Sequence, residues 1–294
     1  MAGIIGVTGA SGHLGRRVVE LLLENVSAER IRALTRHPEK IADLAERGVS
    51  VGAGDFARPD ELARALEGVE RLLLVSTDDL HPGARVRLHR QAIEAARKAG
   101  VRYVAYTSAT RADTNPVNFM RDHAETEAAL RESGLAWTFL RNNLYAETLL
   151  MVAPVALQTG VLQLPAGDGR VGFVAREDCA RIAVAVLLDP AHEGKIYEVT
   201  GPEALGYAEA AAILSELSGR PVRYEPVSPE AYRQAMAAAG LPDFVIDAMT
   251  SMYQGVAQGV FDLVSSAVQD VTGRAPQTVR QALEAQRATL QPAG

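Results

Sequence analysis

The chain has 294 residues, 48% of them hydrophobic and 22% charged, which at ~100 to 200 residues per domain accommodates one large domain or two modest ones. Thirty Lys and Arg against 36 Asp and Glu give a formal net charge of -6, which disfavours the polyanionic backbone of nucleic acid as the main partner. A single cysteine, Cys179, excludes an internal disulfide and a thiolate metal cage and reads as a small buried residue of a reducing, cytoplasmic compartment, with no metal site expected; no apolar run reaches the ~18 to 20 residues of a membrane span and no basic segment precedes the first strand, so a soluble, unprocessed chain is expected.

In chain order, short unbroken aliphatic runs alternate with stretches of helical period. Strands are expected at residues 4–7, 31–34, 49–51, 72–75, 101–106 and 137–140, each unbroken as a strand buried on both faces should be. Helices are expected at 14–23, 38–47, 59–66, 85–98 and 121–133, several of them closed by a glycine just beyond the end: Gly48, Gly68, Gly100 and Gly134. Right-handed crossovers repeated in this way predict an α/β fold, a Rossmann-like doubly wound parallel sheet with its ligand crevice at the carboxyl ends of the strands.

Beyond about residue 150 the pattern loosens. A loop-rich stretch passes through Pro165, Gly167 and Gly169, followed by an expected strand at 171–174, a helix at about 178–188, a strand at 197–199 and a helix at 205–218 ending at Gly219. Pro221, Pro226, Pro229 and Pro242 then punctuate further helical segments, so residues 151–294 read as a smaller, mainly helical lobe without a nucleotide motif, assigned to covering the site of the 1–150 domain.

The first strand runs into Val7-Thr8-Gly9-Ala10-Ser11-Gly12-His13-Leu14-Gly15 and then a helix. Gly9 can take the tight turn, Gly12 admits a pyrophosphate close to backbone amides, and Gly15 lets the helix approach the strand; the helix N-terminus then offers N–H groups and a positive dipole to the anion. The GxxGxxG spacing, set between strand and helix, marks a dinucleotide turn. His13 reads as a packing or phosphate-edge contact and not as a base.

A chain that prefers NAD places a carboxylate at the tip of the second strand to hold the ribose 2′-hydroxyl. Here the tip reads Thr35-Arg36-His37-Pro38. Arg36 suits a 2′-phosphate through a charge-assisted, bidentate contact, with Lys40 in support, so NADP(H) is the expected cofactor. Asp55 and Phe56 are candidates for the adenine, the alternative being a helix-preceding turn with a half-buried aromatic. Ser76 and Thr77, after the fourth strand, are candidates for lining the pocket.

Together with Val7 to Gly15 and Leu34 to Lys40, the stretches Ala105-Tyr106-Thr107-Ser108, His123 to Glu127, Thr138 to Tyr145 and His192 to Tyr197 resemble the atypical short-chain dehydrogenase/reductases of the NmrA-like family, most of all its bacterial NADPH:quinone reductases and triphenylmethane dye reductases. The resemblance implies a Rossmann domain whose later elements, at about 171–200, interleave with a smaller substrate-binding lobe. It further implies that Gly9, Ser11, Gly12, His13, Leu14, Gly15 and Arg36 hold phosphates, that Thr107 and Ser108 flank the nicotinamide side, and that Arg141, Asn142 and Asn143 complete the pocket.

The standard short-chain reductases use a Tyr-x-x-x-Lys pair, and no such pair occurs in this chain. On the aligned helix Phe119 stands at the Tyr position and His123 at the Lys position. A quinone or extended cationic dye accepts hydride without simultaneous proton donation, because its π-system delocalises the charge, so that chemistry needs chiefly positioning. Catalytic residues are therefore unassigned, with His123 and Tyr145 as candidates, each either site-facing or structural. The leading expectation is an NADPH-dependent reductase acting on a small-molecule electron acceptor; the alternatives are a non-catalytic, dinucleotide-sensing regulator that works through protein partners, and a sugar-nucleotide reductase or epimerase, for which the missing pair counts against. A homodimer is left open.

Overall fold

In the computed structural model, which describes residues 3–290, the aliphatic runs of the first half are strands and the periodic stretches between them are helices. They are β1 (Ile4–Val7), α1 (His13–Leu23), β2 (Ile31–Thr35), α2 (Ala42–Glu46), β3 (Ser50–Ala53), α3 (Pro59–Ala65), β4 (Val69–Leu74), α4 (Ala84–Lys98), β5 (Tyr103–Ala109), α5 (Arg121–Glu132) and β6 (Ala136–Asn142). The second half adds α6 (Leu149–Thr159), β7 (Val161–Leu164), β8 (Arg170–Val171), α7 (Arg176–Leu188), β9 (Ile196–Val199), β10 (Leu205–Gly206), α8 (Tyr207–Ser218), β11 (Arg223–Pro226), α9 (Pro229–Ala238), α10 (Asp243–Ala257), α11 (Ala267–Thr272) and α12 (Val279–Glu284).

Seven strands form one sheet in the order β3-β2-β1-β4-β5-β6-β9. The pairs β3–β2, β2–β1, β1–β4 and β4–β5 are all parallel. Strand order reverses between β1 and β4, and the crevice outside the carboxyl ends at such a reversal is where a doubly wound sheet takes its ligand. β5 is buried along its whole length, which is why its sequence shows no polar alternation. Leu34, Leu62, Leu66, Leu72, Leu74, Val104, Tyr106 and Phe139 lie in one core cluster.

The chain divides into two compact units. The first comprises the residues up to Ala112 with Asp122–Arg141 and Cys179–Tyr197; the second comprises Asp113–Arg121, Asn142–Asp178 and the residues from Glu198 onward. Cys179 is buried. Among the described residues no helix is long and apolar enough to cross a membrane, and no group of three or more His, Cys, Asp or Glu is placed to hold a metal ion.

The second unit is mainly helical, as expected, with two short strand pairs beside its helices. It carries a parallel pair, β11 with β7, and an antiparallel pair, β10 with β8. The strand expected over 171–174 stops at Val171, because Gly172 turns to donate its N–H to Phe261 O at 3.0 Å and lies so close to the Leu263 carbonyl that a Cβ would not fit. Val174 makes only a lone bridge to Tyr145. The helix expected from 205 begins at Tyr207, because Gly206 is its N-cap and donates its N–H to Glu209 Oε2 at 2.6 Å. α6 occupies what the sequence presents as loop; Pro154 lies inside it, and an interior proline ordinarily argues against a helix. Tyr207, Tyr232 and Tyr253 pack edge to face at 5.5 to 5.8 Å as part of this unit's core.

Candidate functional site

The glycine turn leaves β1 at the strand-order reversal. Gly9 has φ +63°, a conformation that costs glycine nothing and other residues a good deal. Its carbonyl accepts the Gly12 N–H at 2.9 Å, and the Ala10 N–H reaches Leu34 O at 3.0 Å, tying the turn to β2. A Cβ on Gly15 would collide with the Gly9 carbonyl, so only glycine lets α1 start this close to the strand. α1 begins after Gly12 with no side chain capping it, which leaves the amides of its first turn to an external acceptor. Ser11, Gly12 and His13 are exposed, whereas Leu14 and Gly15 are buried. Ser11 Oγ lies 2.6 Å from Thr35 Oγ1, so the turn and the tip of β2 are held together.

Arg36 follows β2 with its side chain 62% exposed, its nearest charge being Asp78 Oδ1 at 3.8 Å. No carboxylate occupies the strand tip itself. After β3, Asp55 Oδ1 accepts the Ala57 N–H at 2.9 Å in a side-chain turn, and Phe56 is buried with its ring edge-on to His89 at 6.2 Å. The structure thus places Asp55 in a local turn and Phe56 in the core.

The segment after β4 is held by side chains. Val75 donates its N–H to Thr8 Oγ1 at 2.9 Å, Ser76 to Thr107 Oγ1 at 2.8 Å and Thr77 to His89 Nε2 at 3.0 Å. The Thr77 carbonyl accepts from Arg85 Nε at 3.1 Å. Thr107 Oγ1 also donates to Ser76 Oγ at 3.2 Å, so both of its hydrogen-bonding directions are turned to Ser76.

Because an amide can only donate, His89 Nε2 must accept, and the single proton of the neutral ring sits on Nδ1, facing Thr126 Oγ1 at 3.0 Å. The same reasoning fixes His123: Arg85 Nη1, a donor, lies 3.3 Å from its Nε2, so Nδ1 carries the proton and points at Tyr106 Oη, 2.7 Å away. Burial, reinforced by the Arg85 charge, pushes His89 down to about 3 and His123 well below the ordinary histidine value. Burial also drives the Tyr106 phenol far above its usual value. Both nitrogens of His123 are engaged inside the first unit, and neither is poised as a base near neutrality.

Ser108 Oγ donates to Glu127 Oε1 at 2.7 Å. The same carboxylate receives Arg141 Nε at 2.9 Å and Nη2 at 2.8 Å, and Arg131 Nη2 at 3.2 Å. Arg141 is therefore held in a buried, two-pronged ion pair with Glu127, which the sequence places in a family-like stretch without a role of its own. In the second unit Asn142 Nδ2 donates to Tyr145 Oη at 3.2 Å while its Oδ1 is buried without a partner. Asn143 Nδ2 donates to Phe261 O at 3.0 Å, and the Arg176 guanidinium lies 5.3 Å from the centre of the Tyr145 ring.

A model of the NmrA-like family matches residues 1–280. The chain belongs to the NmrA-like family. Quinone oxidoreductase 2 of Escherichia coli strain K12 is 40% identical over 260 residues, which cover 88% of this chain and 90% of that protein. The crystal structure of an NADPH-dependent quinone oxidoreductase from Escherichia coli complexed with NADPH superposes with a TM-score of 0.91 at 37% identity, covering 96% of this chain and 99% of the other. Triphenylmethane reductase from Citrobacter sp. superposes with a TM-score of 0.89 at 32% identity, covering 97% and 99%.

In this NmrA-like chain Thr8, Arg85, His89 and Glu127 also carry the hydrogen-bonding framework just described, although motif and spacing mark none of them as site residues. The signal for two of them lies in α4, where Arg85 and His89 share the buried face with Ala92 and Ala96; polar residues in the phase of an apolar stripe mark a buried network. The network is expected to make the chain acid-labile. An imidazole with a folded pKa of about 3 against 6.5 unfolded gains its proton only on unfolding, so stability is complete above pH 6.5 and is lost as the pH falls toward 3. Urea unfolding at pH 7 and pH 5 is expected to show a loss of about 2 kcal/mol for each such histidine, and His89→Gln is expected to lose correspondingly less; equal losses in parent and variant would remove His89 from the account.

Proposed function

We propose that the chain is an NADPH-dependent oxidoreductase that passes hydride directly to a quinone or a similarly conjugated small-molecule electrophile. The observation that carries this reading is the uncapped N-terminus of α1, set behind the Gly9 to Gly15 turn at the strand-order reversal, with an exposed arginine where an NAD-preferring site has a carboxylate. The relatives named above, with quinone and triphenylmethane acceptors, support the acceptor class. The residues present fit the dinucleotide: the first-turn amides of α1 suit the pyrophosphate, and the Arg36 guanidinium suits a 2′-phosphate. When bound, the reduced nicotinamide supplies the hydride.

The protein's own part is positioning. In the first unit the phenols of Tyr103 and Tyr106 are pushed up by burial, Tyr103 to about 12 and Tyr106 further, and no Tyr-x-x-x-Lys pair exists to lower one. Proton delivery by a tuned phenol therefore has no part in the proposed chemistry. An acceptor with a delocalised π-system does not need it: hydride adds to carbon or to the quinone system, and water protonates any oxyanion afterwards.

Purified protein, NADPH deuterated at C4 and a triphenylmethane dye test this directly with oxygen excluded. Turnover with NADPH well above NADH is expected, with deuterium retained on the central carbon of the leuco product by mass spectrometry. Tight NADPH binding without reduction of any quinone or dye would overturn the enzyme reading in favour of a dinucleotide-sensing regulator.

A further inference from the structure

Val75, Ser76 and Thr77 are three successive residues whose amides go to side chains from three different elements: Thr8 just beyond β1, Thr107 on β5 and His89 on α4. Arg85, one turn before His89, takes the Thr77 carbonyl as well. His89 and Arg85 are 0% and 5% exposed. Burying an imidazole and a guanidinium costs solvation that an apolar pair would not, and the hydrogen bonds regained fix a geometry more than they add stability. What they fix here is one short piece of backbone, held at both polar groups of Thr77.

That piece lies at the carboxyl end of β4, across the strand-order reversal from β2, and Asp78, the residue that follows it, is 3.8 Å from the Arg36 guanidinium. Val75 packs against the glycine turn, its Cβ 3.4 Å from the position a Gly9 Cβ would take. A dinucleotide laid across the reversal has its adenosine half toward β2 and its other half past β4 and β5. We propose that His89 and Arg85 are positioning residues that, with Thr8 and Thr107, hold Val75 to Thr77 as the rigid rest for the nicotinamide half of NADPH. This rests on the function proposed above and adds to it which residues hold the reactive end.

The test separates the two halves of the ligand. His89→Leu removes the acceptor for the Thr77 amide and is expected to raise the NADPH dissociation constant about tenfold, the equivalent of one unmade buried hydrogen bond. The affinity for adenosine 2′,5′-bisphosphate, which lacks the nicotinamide half, is expected to stay within about twofold of the parent's. His89→Gln places an amide oxygen where Nε2 was and is expected to restore NADPH binding to within about threefold. If His89→Leu does not fold, Thr107→Val, which strips the acceptor from the Ser76 amide, is expected to give the same split. NADPH binding unchanged in a folded variant, or an equal loss of both ligands, would overturn the positioning role; a parent protein that binds no NADPH would overturn the function and this inference with it.

Discussion

Glu127→Ala is expected to lower the unfolding free energy by about 3 to 5 kcal/mol, the range for breaking one side of a buried ion pair. Glu127 is 1% exposed and accepts from Ser108 on β5, Arg141 on β6 and Arg131 a turn further along α5. Its loss takes away the carboxylate that receives two of the N–H groups of the Arg141 guanidinium, whose side chain is 7% exposed. The cost arises from the lost neutralisation of a buried charge more than from the four hydrogen bonds counted one by one. Replacing the pair together, as Glu127→Leu with Arg141→Met, is expected to recover most of the loss, because two charges then leave the interior at once. Urea unfolding of parent, single and double variants decides it; a double variant no more stable than Glu127→Ala would show that the pair contributes specific geometry beyond mutual neutralisation.

This pair also shows where sequence reasoning stopped. The strands of the first half, the crossover helices and the GxxGxxG turn were legible because each rests on local chemistry: unbroken aliphatic runs, a helical period, a glycine with positive φ. Arg141 was legible as an important residue but not as a partner of Glu127, since 14 positions of sequence hide a contact between a helix and a strand. His123 was singled out by its place in a motif, whereas its engagement by Arg85 and Tyr106 depends on how α4, α5 and β5 pack. The second unit was the least legible. α6 accommodates Pro154 in its interior, and the two short strand pairs join residues some 35 to 60 apart, at Arg170 with Gly206 and at Leu162 with Tyr224. Nothing local announces pairings of that kind, and short strands carry too little periodicity to be told from loop.

Arg36→Asp is expected to raise the NADPH dissociation constant by a hundredfold or more while leaving NADH binding unchanged or tighter. In the proposed site the parent arginine would offer a planar, charge-assisted contact to a 2′-phosphate, a kind of hydrogen bond roughly twice as strong as a neutral one. The aspartate removes that contact and puts a negative charge in its place, beside Asp78, whose carboxylate already lies 3.8 Å from the guanidinium. Two carboxylates then face the phosphate, so repulsion adds to the lost attraction. Toward NADH the same aspartate acts in the opposite sense, as an acceptor for the ribose 2′-hydroxyl. Because Arg36 is 62% exposed, the discrimination in the parent should shrink with added salt, which screens exposed charges over about 10 Å at 0.1 M. Fluorescence titration of parent and variant with both cofactors, at low and high salt, measures all of this; an NADPH affinity within threefold of the parent's would remove Arg36 from the cofactor site and with it the physical basis for preferring the phosphorylated cofactor.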